Sequence, residues 1–127
     1  DADAALADCP LIATCTPANA VVLRALPRDD AFVTAVGAYT LSMVELSPEL
    51  CRHVAERGHI VLDSRDADHE AGDLLQAGLN VAELPILADV LSGRAASATQ
   101  AGPVVLENCG WAGWDLAAAR LAVRAAA

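Results

Sequence analysis

Three side chains able to do chemistry each follow an apolar run that is typical of a buried strand. They are Thr16, Tyr39 and Asn108. In a parallel sheet covered by helices, ligands bind beyond the carboxyl ends of the strands, so chemistry is expected at these positions. A threonine hydroxyl there can form a hydrogen bond with a ribose or a phosphate. An asparagine amide can both donate and accept hydrogen bonds, and a phenol can donate a hydrogen bond or a proton.

Each of these side chains also has a simpler interpretation. Thr16 can serve only to turn the chain before Pro17, and a tyrosine at a loop corner often packs with its hydroxyl in water. Cys109 stands near the start of a predicted helix, where its pKa could fall, but the sequence places no base beside it. Covalent catalysis by Cys109 is therefore not expected.

The elements that would position these residues alternate along the chain. Apolar runs rich in strand-forming residues predict four strands, at residues 9–16, 31–38, 59–63 and 103–106. The clearest helix has Ser47 as N-cap, Pro48 at its first position and Gly58 as its stop. Ser64 is predicted to cap a second helix that Gly72 interrupts. Further helices are predicted over residues 86–91 and 110–126. One or two helical turns are predicted over residues 18–25, and a loop is predicted over residues 95–102.

This alternation predicts an α/β fold, as a doubly wound parallel sheet with helices on both faces. A dinucleotide fold opens with a strand, a G-x-G-x-x-G turn and a helix, and the sequence has no such turn. We therefore expect a partial Rossmann-like sheet that lacks the first nucleotide-binding βαβ unit, forming one domain over residues 1–127. The start at Asp1 without a methionine fits a piece of a longer protein.

The composition argues against a nucleic-acid or membrane partner. The net charge is −9, lysine is absent and the eight arginines are scattered, so no basic patch can neutralise a nucleic-acid backbone. No apolar run is long enough to cross a bilayer, and the N-terminus is acidic, unlike a signal peptide. We expect a cytoplasmic protein with neither a nucleic-acid nor a membrane partner.

Cysteine and acidic residues do not predict a metal site. The four cysteines form no C-x-x-C pair and are interpreted as buried thiols in a reducing compartment. The acidic run from Asp63 to Asp73, which includes His69, fails as a calcium loop because Ala71 and Ala77 stand where the turn glycine and the bidentate glutamate belong. It is interpreted as a solvated, N-terminally acidic helix.

Three blocks, in order, resemble the ornithine cyclodeaminase/mu-crystallin family of oxidoreductases. They are AVGAYTLSMVEL at 35–46, EAGDLLQAG at 70–78 and ENCGWAGWDLAAARLA at 107–122, and TCTP at 14–17 matches the family's T-x-T-P-like strand end. The resemblance implies that the chain is the C-terminal part of an NAD(P)-binding domain. It also implies NAD or NADP as cofactor, held by a set of residues near the strand ends: Thr16, Val33, Thr34, Ala35, Val36, Gly37, Asn108 and Cys109.

Departures from the family pattern refine that expectation. Tyr39 stands where cyclodeaminases carry a catalytic Asp, so ornithine cyclisation is disfavoured and Tyr39 is the candidate catalytic residue. Met43 and Glu107 stand where the family has lysines, and Glu107 is expected to reverse a charge near the anionic cofactor. Trp111 and Trp114 are expected to be core or interface anchors.

The resemblance is strongest to the ketimine or Δ1-pyrroline-2-carboxylate reductase branch. That branch reduces a cyclic imine of the pyrroline- or piperideine-2-carboxylate type. The alternatives are a non-catalytic mu-crystallin-like binding protein, or ornithine cyclodeaminase or alanine dehydrogenase activity in a longer chain. The resemblance further implies a small imine or amino-acid substrate and a homodimer formed through a domain outside these residues. The isolated chain is expected to be inactive.

Overall fold

The computed structural model describes residues 1–95 and 102–126. Its strands are β1 (Leu11–Thr14), β2 (Asn19–Leu23), β3 (Phe32–Ala35), β4 (Val44–Leu46), β5 (His59–Leu62) and β6 (Val104–Glu107). Its α-helices are α1 (Ala2–Asp8), α2 (Pro48–Arg57), α3 (Ala67–Glu70), α4 (Gly72–Gln76), α5 (Leu87–Leu91) and α6 (Ala112–Ala125), with a 3₁₀ turn at Val81–Glu83.

The four predicted strands form one sheet in the order β1-β3-β6-β5, and every neighbouring pair is parallel. The predicted parallel α/β fold is thereby confirmed. The last strand, β6, lies between β3 and β5, so it has a hydrogen-bonded neighbour on each side. The outer edge of β1 has no strand partner within the described residues.

A second, two-stranded parallel sheet corrects the prediction of helical turns at residues 18–25. There β2 pairs with β4, with Asn19 opposite Val44 and Leu23 opposite Leu46. Alanine, valine and leucine suit either a short helix or a strand, and the pairing with β4 decides between them. Leu23 and Leu46 are buried and join the core.

Helix α2 follows its prediction closely. The Ser47 hydroxyl accepts a hydrogen bond from the Leu50 backbone at 3.1 Å, Pro48 opens the first turn and Gly58 ends the helix. Leu50 and Val54 are fully buried, and burial of each such side chain stabilises the fold by about 1.5–3 kcal/mol.

The next helical segment is interrupted as predicted, but it is not capped as predicted. Ser64 is buried and makes no capping bond, because α3 starts after Asp66 without a side-chain cap. The break falls between α3 and α4, at Ala71. A Cβ on Gly72 would lie 2.2 Å from the Met43 carbonyl oxygen, so only glycine permits this close approach.

The remaining predictions have mixed outcomes. Helices α5 and α6 are confirmed with slightly shorter bounds. Most of the predicted loop at 95–102 lies outside the described residues. The acidic run is not a single solvated helix, because Asp63 and Asp73 at its two ends are buried.

The main core lies on one face of the four-stranded sheet. Val33, Val105 and Ile60 are cross-strand neighbours on that face, and they pack in the same cluster as α2. On the opposite face Leu11 is 77% exposed and Phe32 is 38% exposed. None of the helices in the described ranges combines the length and apolar character needed to cross a bilayer.

Candidate functional site at the strand ends

The carboxyl ends of the four parallel strands lie side by side. Their last residues form one cross-strand row, Thr14, Ala35, Glu107 and Leu62. Val36 donates a backbone hydrogen bond to Thr14 at 2.9 Å, and Asn108 donates one to Ala35 at 2.8 Å. We call the residues that follow this row the strand-end edge: Thr16, Val36, Gly37, Asn108 and Asp63.

One buried carboxylate, that of Glu45 in β4, lies directly behind the strand-end edge. Its Oε1 accepts hydrogen bonds from the Thr16 backbone at 2.6 Å and the Thr16 hydroxyl at 2.8 Å. Its Oε2 accepts hydrogen bonds from the Thr14 hydroxyl and the Gly37 backbone, both at 2.8 Å. A single side chain therefore fixes the ends of β1 and β3 relative to each other.

These hydrogen bonds keep Glu45 ionised. Burial by itself would raise the pKa of Glu45, but the bonds from the Thr16 backbone, the two threonine hydroxyls and the Gly37 backbone outweigh it and lower the pKa. An ionised carboxylate has no hydrogen to give, so the Thr16 hydroxyl must be the donor. No group in the part of the chain that the structure describes donates to the Thr16 hydroxyl oxygen, so its lone pairs can accept from another partner.

Gly37 is glycine because the strand-end edge is crowded from behind. A Cβ there would lie 2.1 Å from the Thr16 carbonyl oxygen and 2.6 Å from the Glu45 carboxyl carbon. The chain after β3 thus packs directly onto Glu45.

Strand β4, which carries Glu45, is itself held by a carboxylate. Asp73 Oδ1 accepts hydrogen bonds from the backbones of Glu45 at 2.7 Å and Leu46 at 2.8 Å. Burial is the largest cause that raises the pKa of Asp73, to about 6, against the opposing effect of these two bonds.

At the other end of the strand-end edge, Asp63 shapes the chain after β6. Its Oδ2 accepts a hydrogen bond from the Gly110 backbone at 2.8 Å, and its Oδ1 one from Ser64 at 2.7 Å. Gly110 has φ +91°, a conformation that favours glycine. Asn108 Oδ1 also accepts from the Gly110 backbone, at 3.2 Å.

Thr16 and Asn108 each line a surface cavity beside the strand-end edge. One of about 390 Å³ is lined by Asp63, Asn108 and Gly110 together with Trp111 and Trp114, whose rings meet edge to face at 5.5 Å. The other, of about 340 Å³, runs along the outer edge of β1 as far as Thr16. Thr16 and Asn108 therefore share an edge of the sheet but line different cavities.

The predicted backbone wall divides into two parts. Val33, Thr34 and Ala35 lie within β3, paired on both sides, and the side chains of Val33 and Ala35 are buried in the core. Val36 and Gly37 lie at the strand end, where Val36 is 41% exposed. Ligand contacts by these five residues stay predictions.

Tyr39 lies on the loop between β3 and β4 and is 56% exposed. Its phenol is thus accessible, and its catalytic role stays a prediction. Met43, near the end of the same loop, is buried and forms part of the interior.

Two expectations about the end of β6 are wrong. Glu107 is fully buried on the core face, and burial raises its pKa well above the ordinary value, so it does not present a reversed charge to an anionic cofactor. Burial likewise raises the pKa of the Cys109 thiol rather than lowering it. Cys109 stands before α6, which begins only at Ala112.

Sequence reasoning missed Glu45, Asp63 and Asp73. The sequence carries a signal for Glu45, which stands between the apolar residues Val44 and Leu46. It also carries one for Asp63, which directly follows an apolar strand. Asp73 carried no such signal, because its acidic neighbours made the whole run resemble a solvated helix.

These features define an α/β fold with a parallel sheet whose strand ends carry several polar groups. The same fold occurs in an archaeal alanine dehydrogenase, a dimer solved with bound NAD, at a TM-score of 0.79 and 21% identity over 94% of this chain and 38% of that one. A probable ornithine cyclodeaminase from Bordetella pertussis matches with a TM-score of 0.62 and 27% identity, over 79% of this chain and 33% of that one.

Sequence relatives agree with the structural ones. Δ1-pyrroline-2-carboxylate reductase 1 of Burkholderia multivorans is 36% identical over 113 residues, which is 88% of this chain and 34% of the relative. The Δ1-pyrroline-2-carboxylate/Δ1-piperideine-2-carboxylate reductase of Azospirillum brasilense is 37% identical over 112 residues, again 88% of this chain and 34% of the relative. No family model matches the sequence.

The chain belongs to the ornithine cyclodeaminase/mu-crystallin family. It spans about a third of the length of the relatives it matches. The resemblance seen in the three sequence blocks is confirmed.

Proposed function

We propose that these residues are the C-terminal part of the NAD(P)-binding domain of an oxidoreductase that reduces a cyclic imine of the pyrroline- or piperideine-2-carboxylate type. The observation that carries this proposal is the strand-end edge, in a chain whose relatives bear the names of such reductases. When bound, a reduced nicotinamide supplies the hydride for this chemistry.

The residues of the strand-end edge fit the uncharged end of a dinucleotide better than its phosphates. The ionised Glu45 lies behind the edge, and the buried Asp63 is part of it. Among the described residues, neither carboxylate forms a salt bridge with an arginine. Thr16, Val36 and Gly37 would face the ribose and the nicotinamide. The pyrophosphate would need a glycine-rich turn that this sequence lacks.

Chemistry at the imine requires a proton as well as a hydride. Tyr39 is the candidate donor, because its phenol is exposed on the loop after β3. The homodimer implied by the family, and the choice between NAD and NADP, depend on residues outside this chain.

The test is an assay of the complete protein that contains these residues. Adding Δ1-pyrroline-2-carboxylate or Δ1-piperideine-2-carboxylate to protein and NADH or NADPH should oxidise the reduced nicotinamide, which its near-ultraviolet absorbance reports. Dinucleotide binding without oxidation would instead support the second candidate, a non-catalytic binding protein. Tyr39 favours the non-catalytic binding protein, because it stands where cyclodeaminases carry their catalytic Asp.

A further inference from the structure

We propose that Glu45 is a positioning residue that makes the Thr16 hydroxyl an acceptor, so that the strand-end edge selects a ligand hydroxyl or amide N–H and rejects a phosphate at that point. This inference rests on the proposed function and goes beyond it, because it names the chemical group that is recognised.

The hydroxyl hydrogen of Thr16 points toward Glu45. The Glu45 carboxylate lies 2.8 Å from the Thr16 hydroxyl and also accepts the Thr16 backbone hydrogen at 2.6 Å. Since a threonine hydroxyl has one hydrogen, its donation to Glu45 leaves only lone pairs for a ligand. A phosphate oxygen needs a donor and finds none in this hydroxyl.

The charge of Glu45 also disfavours a phosphate at Thr16. Glu45 is fully buried and ionised behind Thr16 and Gly37, and its charge is offset by hydrogen bonds, with no salt bridge to it among the described residues. An anionic ligand group at Thr16 would be repelled in this low-dielectric surrounding. A ribose hydroxyl is uncharged and can donate, so it meets both requirements.

The Thr16 and Gly37 backbone hydrogens bond to different oxygens of the same carboxylate. Glutamine has a single side-chain oxygen, so in Glu45→Gln one of the two backbone groups must lose its acceptor, whichever way the amide turns. Glu45 thus performs a task that its closest uncharged analogue cannot.

The experiment compares ligands and variants of the complete protein. Dissociation constants are measured for NADH and for analogues that lack one hydroxyl of the nicotinamide ribose, with wild type, Thr16→Val and Thr16→Ser. The wild type should prefer NADH over one of the analogues by about three- to tenfold, the range of one neutral hydrogen bond. Thr16→Val should abolish this preference, and Thr16→Ser should retain it.

The matched control is Thr40→Val, the same change at an exposed threonine of the loop after β3. It should bind NADH and the analogues as the wild type does. A Thr16→Val variant that keeps the full preference for NADH overturns the inference while leaving the proposed function intact. Failure of the wild type to bind either NADH or NADPH overturns both.

A readout without ligand tests the role of Glu45 directly. In Glu45→Gln, amide hydrogen exchange should accelerate at Thr16 or Gly37 by about tenfold or more, as expected when a buried amide loses its acceptor. The KM for NADH should rise more than kcat falls. Unchanged exchange at both residues would contradict the positioning role.

Discussion

Asp73 accepts a hydrogen bond from the backbone of Glu45 at 2.7 Å, so one buried carboxylate holds the strand that carries another. Asp73 fixes β4 from helix α4, and Glu45 in turn fixes the ends of β1 and β3. The strand-end edge is therefore supported from behind by two carboxylates in succession. Its geometry therefore depends on two buried residues that lie behind the edge.

Stability should depend on pH through Asp73. Its pKa rises from 3.8 to about 6 on folding, so between these values the native state binds more protons than the unfolded state. The free energy of unfolding should therefore fall as pH rises from about 4 to about 6, by about 3 kcal/mol from this group. Asp73→Asn, which keeps an oxygen for both backbone bonds, should remove that part of the slope.

Urea unfolding at several pH values measures this effect. The control is Asp29→Asn, at an exposed aspartate in the turn before β3. Its pH profile should follow that of the wild type. An Asp73→Asn profile with the same slope as the wild type would show that Asp73 is not the group responsible.

Replacing Glu107 should stabilise the fold. Its carboxyl group is fully buried, and neither oxygen has a hydrogen-bond partner within the described residues. Glu107→Leu should raise the free energy of unfolding at neutral pH by about 1–3 kcal/mol, because an unpaired buried polar group is removed. Glu56→Leu on the exposed face of α2 should change it by less than about 0.5 kcal/mol. A destabilised Glu107→Leu would indicate a partner for Glu107.

The sequence predicted the main sheet because its signals are local. The four apolar runs and the capping residues Ser47, Pro48 and Gly58 specify their elements without reference to the rest of the chain. The pairing of β2 with β4 depends on residues more than twenty positions apart, which no local pattern encodes. The placement of β6 between β3 and β5 is non-local for the same reason.

The candidate site was predicted in part. The strand ends at Thr16, Val36 and Asn108 could be placed on one edge, because parallel strands end on the same side. The support by Glu45 and Asp73 could not, since each carboxylate bonds to backbone groups far away in sequence. The burial of Glu107 cannot be predicted locally, because the sheet register decides on which face of β6 its side chain lies.

Gly37 should tolerate no side chain. In Gly37→Ala the new Cβ would collide with the Thr16 carbonyl oxygen and the Glu45 carboxyl group, so we expect a loss of at least about 2 kcal/mol in the free energy of unfolding. Gly78→Ala supplies a comparison, because Gly78 has φ +77° but open space around it. It should lose only about 1 kcal/mol, from backbone strain. Equal losses in chemical denaturation would contradict the crowding at Gly37.

The cysteines should differ in reactivity. Cys9 and Cys15 are exposed, so the expectation of four buried thiols is wrong for these two. Burial raises the pKa of the Cys51 and Cys109 thiols. Because the thiolate is the reactive form, iodoacetamide at mildly alkaline pH should modify Cys9 and Cys15 well before the other two. Peptide mass spectrometry over time gives the order. Early modification of Cys109 would contradict the raised pKa of its half-buried thiol.

The ends of β1, β3 and β6 should together form one edge that binds a dinucleotide. Amide hydrogen exchange of the complete protein, with and without NADH or NADPH, tests this. A bound dinucleotide should slow exchange together at Thr16, at Val36 and Gly37, and at Asn108. Binding that protects other parts of the domain and leaves these three strand ends unchanged would contradict it.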